Sequence, residues 1–209
     1  MAKLGVPMAE IKELKALPEP WPLIDEWFKE AEKAEINDPN AMSLATVGAD
    51  GMPSVRIMLL KGYDKDGFVF FTNKESRKGQ QLAGQGKAAL DFHWKSLRRQ
   101  IRVEGLISEA SAKESDEYFA TRPRGSQIGA WASQQSKPLA SRAELEERLK
   151  KFEAKYEGKP VPRPSNWGGY RVTPTYIELW QDREFRLHDR VTYRRKSASE
   201  AWQVERLNP

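Results

Sequence analysis

The sequence predicts a mainly β protein with flanking helices, an α+β fold whose strands form an antiparallel barrel. Short runs rich in β-branched, aromatic and aliphatic residues fill most of the chain after residue 40. Turn-forming tetrapeptides, Gly48-Ala49-Asp50-Gly51 and Asp64-Lys65-Asp66-Gly67, separate the first of them as consecutive hairpins. Helical periodicity is confined to a few segments between and before these runs. About eight strands in meander order, with helices at the edges, make a barrel the natural way to satisfy both sheet edges.

Residues 1–19 are polar, carry two prolines and have no clear period, so they are expected to be a mobile N-terminal arm. Residues 20–209 read as a single domain. Leu23, Trp27, Phe28, Ala31 and Ala34 recur at helical spacing between Pro20 and Glu35. Strands follow at 41–47, 54–61 and 68–73, then a short helix at 76–83 and strands at 88–94 and 99–110. A helix is predicted at 113–121, and a Pro/Gly/Ser-containing segment leads from it to Trp131. Ser141-Arg142-Ala143-Glu144 has capping-box spacing and opens a charged helix to about Tyr156. After the stiff connector 160–164, strands are expected at 169–180 (interrupted by Pro174), 186–194 and 202–207.

Composition narrows the chemistry. With no cysteine, disulfides, thiolate catalysis and thiolate-held zinc or iron–sulfur clusters are excluded. His93 and His188 are the only histidines, so a multi-histidine metal site is excluded too, and no metal is expected. Redox work would need an organic cofactor. The net charge of +5 mixes 35 basic with 30 acidic residues, which suits an anionic small molecule and is weak support for nucleic acid. Apolar runs are far shorter than a membrane span and the N-terminus has no signal-peptide core, so a soluble cytoplasmic protein is expected.

Several segments could carry chemistry. In Arg186-Leu187-His188-Asp189-Arg190, a strand would place Arg186, His188 and Arg190 on one face, with neighbours about 7 Å apart. That row suits a planar anion, although the pentapeptide taken alone reads first as an exposed strand whose charges are solvated. Arg56 sits in mid-strand within SVRIMLLK (54–61), sharing a face with Ser54, Met58 and Leu60, and needs an anionic partner, either a carboxylate or a ligand phosphate. FFTNKESRK (70–78) turns a strand into a helix start, where free N–H groups join Arg77 and Lys78 as a phosphate seat. RQIRVEG (99–105) puts Gln100, Arg102 and Glu104 on one face; Arg102 and Glu104 read as a surface pair, while Gln100 can read a heterocycle edge. Tyr118 and Arg122, four apart, with Ser126 in the turn beyond, would converge on a phosphate monoester or simply pack Tyr on the Arg stem. No GxGxxG after a strand, P-loop, GxSxG elbow or HExxH is present.

Nine stretches, in order from about residue 40 to the C-terminus, resemble the pyridoxine 5′-phosphate oxidase family. They are RIMLLK (56–61), FFTNKESRK (70–78), RQIRVEG (99–105), YFATRPRGSQIGAWAS (118–133), QQS (134–136), WGGYRV (167–172), ELWQ (178–181), RLHDR (186–190) and WQVERLNP (202–209). The resemblance implies a split β-barrel homodimer of FMN-binding type, with two FMN sites formed between subunits. By position it implies FMN contacts at Arg56, Ile57, Met58, Leu59, Leu60, Lys61, Phe71, Thr72, Arg77, Lys78, Gln100, Gln135, Ser136, Trp180 and Arg190. Substrate contacts fall on Lys61, Tyr118, Arg122, Ser126, Arg186 and His188, of which Arg186 and His188 would lie at the reacting carbon as the catalytic pair. The implied activity oxidises pyridoxine or pyridoxamine 5′-phosphate to pyridoxal 5′-phosphate with O2, giving H2O2. The chain departs from the family in two places. Phe71 stands where many relatives have Tyr, and residues 1–19 hold neither Arg nor Tyr for a substrate lid.

Three rival readings stand beside it: a silent split-barrel protein that stores FMN or pyridoxal phosphate, a basic nucleic-acid-binding barrel, and a related flavin enzyme with another substrate. Storage needs neither Arg186 nor His188. The nucleic-acid reading lacks an aromatic–basic strand motif. The Tyr118/Arg122/Ser126 set favours a phosphorylated substrate.

Overall fold

The computed structural model describes residues 12–209. Residues 1–11, the greater part of the expected arm, lie outside the described residues. Helix α1 (Trp21–Ala34) is followed by strands β1 (Ala41–Val47), β2 (Pro53–Leu59), β3 (Gly62–Asp64) and β4 (Gly67–Asn73). Helix α2 (Arg77–Gln85) precedes β5 (Lys87–Trp94) and β6 (Arg99–Glu109). Three helices come next, α3 (Ala112–Thr121), α4 (Arg124–Ala132) and α5 (Arg142–Lys155). The chain ends with β7 (Trp167–Gln181), β8 (Asp189–Arg194) and β9 (Gln203–Arg206).

All nine strands join one antiparallel sheet in the order β2-β1-β5-β6-β7-β4-β3, with β8 on β7 and β9 on β8. The long β7 serves two partners along one edge: its first half pairs with β4 and its second half with β8. Lys61 N donates to Val69 O at 2.8 Å, tying the chain beyond β2 to β4 and curling the sheet into a split barrel. The α+β barrel expected from the sequence is therefore present, but not as a meander: β1 pairs with β5, and β4 with β7. The second turn, 64–67, joins β3 to β4 rather than β2 to β4. The three-residue β3 is too short to carry a periodic signal.

Pro174 does not interrupt β7. The register shifts opposite Glu104/Gly105, so Gly105 faces Pro174 and the bulge absorbs the missing N–H. A Cβ on Gly105 would lie 2.3 Å from Thr173 O, so only glycine lets the two strands approach there.

The barrel interior is filled by Phe68, Phe70, Phe92, Ile101, Val103, Val172, Ile177 and Leu179, all fully buried, and α1 caps one end with Ile24, Trp27 and Phe28. Each such side chain contributes about 1.5–3 kcal/mol on burial. Leu14 also enters this core, and Lys12 O and Leu14 N are held by Gln181 and Asp189, so the described part of the arm is pinned to the C-terminal strands. A second apolar cluster (Phe119, Ile128, Tyr156, Val161, Trp167) joins α3, α4 and α5 to the start of β7.

Helix α3 has a full capping box, with Ser111 Oγ accepting from Glu114 N and Glu114 accepting from Ser111 N. These bonds hold the Glu114 carboxyl below its usual range, so their contribution is present at neutral pH and lost as pH falls through that range. Ser111→Ala is expected to cost about 1 kcal/mol, read as a fall of roughly 2–4 °C in Tm. Ser141 caps α5 by accepting from Glu144 N, while Glu144 reaches Ala140 N instead of the Ser141 N–H of a strict box.

Candidate active site

The first cluster lies where β4 turns into α2. Ser76 caps the helix through Gly79 N, leaving the N–H groups of its first residues directed outward with no acidic residue in the first turn. Arg56, from β2, reaches beneath this end. Its guanidinium donates to Leu44 O (2.9 Å), Thr46 Oγ1 (2.7 Å), Ser54 O (3.1 Å) and Ser54 Oγ (2.8 Å), all neutral acceptors. No carboxylate pairs with Arg56 among the described residues, so the structural Asp or Glu allowed by the sequence is absent. Desolvation and then the nearby Arg77 lower its pKa. Lys78 is buried, donates among the described residues only to Thr72 Oγ1 at 3.2 Å, and has its pKa lowered by desolvation and then by Arg56. Thr72 in turn donates to Gln135 Oε1 at 3.3 Å. Two half-buried or buried cations with neutral partners, Arg56 and Lys78, with the exposed Arg77 beside them at a helix N-terminus, form a seat for a multiply charged anion.

A second cationic centre lies across the adjoining cleft. Tyr118 stacks on Phe71 with ring centroids 4.2 Å apart, and Phe71 stacks on Trp167 at 5.4 Å. Lys61 Nζ lies 5.8 Å from the Tyr118 ring. Arg122 packs over Trp167, 4.8 Å from its ring, and its Nη1 is buried without a hydrogen-bond partner. Burial lowers the pKa of this guanidinium. Such an orphaned donor is costly and fits a site that an anion completes. Arg122 ends α3 in an extended conformation, so it does not continue the helix with Tyr118; and Ser126 belongs to α4, not to a turn. A cleft of about 510 Å³ is lined by Ile57, Met58, Leu59, Lys61, Tyr118 and Ser126, among others. A neighbouring one of about 370 Å³ reaches Thr72 and Gln135. Both are walled by Met58, Phe71, Arg122, Ser126 and Trp167, so the two cationic centres flank one continuous aromatic groove. Leu60 is buried in the barrel core, and Ser136, next to Gln135, has a positive φ of 69°.

The C-terminal residues form a separate group. Gln100, Trp180 and Arg190 lie opposite one another across β6, β7 and β8, hence on one sheet face. Arg190 Nε donates to the buried Glu178 at 2.7 Å, a carboxylate that also receives Arg102 and the Tyr176 hydroxyl. Arg102 keeps the expected pair with Glu104, at 3.5 Å. The shared strand face expected for Arg186, His188 and Arg190 does not exist. β8 starts only at Asp189, and Glu184–Arg186 form a 3₁₀ turn. Phe185 and Arg186 both have positive φ, 57° and 62°, so alternation fails and the exposed tip projects Arg186 outward. His188 stays close, its ring 4.6 Å from Trp180. None of Gln100, Trp180, Arg186, His188 and Arg190 lines either part of the aromatic groove.

Comparison with known proteins decides the lineage. Residues 28–156 match the family model described as pyridoxamine 5′-phosphate oxidase, and 167–209 match the pyridoxine 5′-phosphate oxidase C-terminal dimerisation region. The chain belongs to the pyridoxine/pyridoxamine 5′-phosphate oxidase family. Members named for that activity from Bradyrhizobium sp. (strain BTAi1) and Rhizobium etli (strain CIAT 652) are each 56% identical over 191 residues. These alignments cover 91% of this chain and 88% and 93% of the relatives. This pyridoxine/pyridoxamine 5′-phosphate oxidase family member is thus an oxidoreductase. Its fold is also that of PhzG from Burkholderia lata 383, solved with tetrahydrophenazine-1-carboxylic acid (TM-score 0.86, 31% identity, 92% and 94% of the two chains). A related FMN-binding protein from Nostoc punctiforme shares the fold (TM-score 0.73, 18% identity, 91% and 98%).

Sequence reasoning missed Trp167, which floors the groove and stacks on Phe71, although it stands in the WGGYRV stretch. It also passed over Asp182, which directly follows the ELWQ stretch and whose carboxylate lies 2.9 Å from His188 Nδ1.

Proposed function

We propose that this protein is an FMN-dependent oxidase that converts pyridoxine or pyridoxamine 5′-phosphate to pyridoxal 5′-phosphate, acting in the cytoplasm as a homodimer. The observation that carries this reading is the pair of uncompensated cationic centres flanking one aromatic groove, one for each of two phosphates. Arg56, Arg77, Lys78 and the N-terminus of α2 would hold the cofactor phosphate. Ile57–Leu60, Phe71, Thr72, Gln135 and Ser136 would line the rest of its seat. Lys61, Tyr118, Arg122 and Ser126 would hold the substrate phosphate. FMN, when bound, supplies the two-electron step that no side chain of this cysteine-free sequence can. The alcohol substrate and O2 give aldehyde and H2O2; the amine additionally takes up water and releases ammonia.

Because Gln100, Trp180, Arg186, His188 and Arg190 line no part of the groove within one chain, a second copy would bring them to it. The match of 167–209 to a dimerisation region supports this, since four of the five belong to that region. Arg186 would lie against the substrate ring and His188 beside its oxidisable carbon, orienting it and holding a proton. Arg190 would face the flavin.

The test compares turnover of pyridoxine 5′-phosphate, pyridoxamine 5′-phosphate, unphosphorylated pyridoxine and a phenazine carboxylic acid. The phosphates should be strongly preferred. Arg122→Met should raise KM for the phosphates by roughly a hundredfold, the worth of a charge-assisted hydrogen bond to a phosphate. It should leave pyridoxine nearly unaffected. Equal use of pyridoxine, or preference for the phenazine acid, would overturn the assignment.

A further inference from the structure

The loop that carries His188 contains an acidic residue whose carboxylate is built around the imidazole. Asp182 Oδ1 lies 2.9 Å from His188 Nδ1, and both side chains are largely buried. The other carboxylate oxygen is paired with Arg98, and Asp182 N donates to Arg98 O at 3.0 Å. Arg98 itself occupies the tight β5–β6 turn with φ 56°, so the carboxylate is clamped from both its side chain and its backbone. The Trp180 ring closes one side of the imidazole. A competing contact is present: Arg183 N–H points at the same Nδ1 at 3.2 Å. Nδ1 cannot both donate to Asp182 and accept from Arg183. The carboxylate contact is shorter and charge-assisted, and so determines which nitrogen carries the proton.

We propose that Asp182, braced by Arg98, is a positioning residue that keeps the proton of neutral His188 on Nδ1 and leaves Nε2 bare as an acceptor toward the substrate. The remaining charges near the ring are otherwise engaged or point away. Arg183 and Asp189 pair with each other at 2.7 Å, and Arg183 also donates to Lys12 O. Arg190 pairs with Glu178, and Glu184 and Arg186 lie on the exposed tip. Remove the Asp182 carboxylate, and the Arg183 N–H becomes the sole partner of Nδ1 among the described residues. The proton then moves to Nε2, and the acceptor facing substrate becomes a donor. The consequence for turnover rests on the placement of His188 proposed above; the tautomer does not.

With two histidines in the chain, the test is direct. Long-range ¹H–¹⁵N spectra of the ¹⁵N-labelled, FMN-loaded protein, taken where imidazole is neutral, report which ring nitrogen is protonated. A His93→Gln spectrum assigns the remaining signal. Wild type should show the Nδ1–H form at His188. Asp182→Ala should show Nε2–H, with kcat lowered roughly ten- to a hundredfold and KM and flavin content little changed. Asp182→Glu should restore part of both readouts. An unchanged tautomer in Asp182→Ala would overturn the proposal whatever the rate does. A switched tautomer with undiminished kcat would support it, and would instead overturn the placement of His188 against substrate.

Discussion

Arg186→Ala is expected to lower kcat/KM for pyridoxine 5′-phosphate by roughly 10²- to 10³-fold, the scale seen when one preorganised charged donor is removed from a reacting centre. Flavin content and Tm should stay at wild-type levels. The first half rests on the role proposed for Arg186; the second follows from the structure. Arg186 is exposed and makes no ion pair among the described residues, so its loss removes no contact that holds the fold. Its backbone, with that of Phe185, sits in the left-handed region at a cost of about 1–3 kcal/mol each. Strain of this kind persists where the surrounding structure enforces it. Here it aims a guanidinium outward from the dimerisation region. The contrasting variant Arg186→Gly relieves the strain, so it should be no less stable than wild type and equally inactive. Flavin release with normal turnover on reconstitution would assign Arg186 to the cofactor instead.

The second large effect concerns the cofactor seat. Lys78→Met should weaken FMN roughly ten- to a hundredfold, the worth of one hydrogen bond to a charged group, measured by flavin fluorescence titration. The apoprotein should be no less stable than wild type. In the absence of an anion Lys78 is a buried cation beside Arg56 with only the Thr72 hydroxyl as partner among the described residues, and methionine keeps much of its apolar stem. A lysine serving the fold would give the opposite pattern, lower Tm with intact FMN affinity. Added inorganic phosphate should raise the Tm of the wild-type apoprotein more than that of the variant.

How much of this was legible in the sequence depends on the range of the signal. Periodicity within a run is local, and it located α1, the strands up to β6 other than the short β3, and the inward face of Arg56, which the alternation of half-buried Ser54, Arg56 and Met58 with exposed Val55 and Ile57 bears out. Strand order is set by pairings between distant segments, so a meander was expected where β4 in fact joins β7. Helix α4 escaped because RGSQIGAWA has two glycines, a serine and only Ile128 and Ala132 to mark its buried face. Parity was the wrong instrument at Arg186-Leu187-His188, because alternation holds only inside a strand, and backbone strain at Phe185 and Arg186 has no sequence signature. The clamp of Asp182 by Arg98 joins residues from two different turns, and only the folded chain displays it. The chemistry of the groove, by contrast, was readable as residue type: phenol, guanidinium, ammonium and hydroxyl groups, of which the structure half-buries Tyr118 and Arg122 and leaves Lys61 and Ser126 exposed.

The most direct test of the central claim is an anaerobic half-reaction followed by admission of air. Holoprotein mixed with pyridoxine 5′-phosphate in the absence of O2 should lose its visible flavin absorbance while forming one equivalent of aldehyde per site. Air should restore the absorbance with one equivalent of H2O2. A colourless protein that takes up no FMN, or a yellow one whose absorbance the substrate leaves unchanged, would contradict the account.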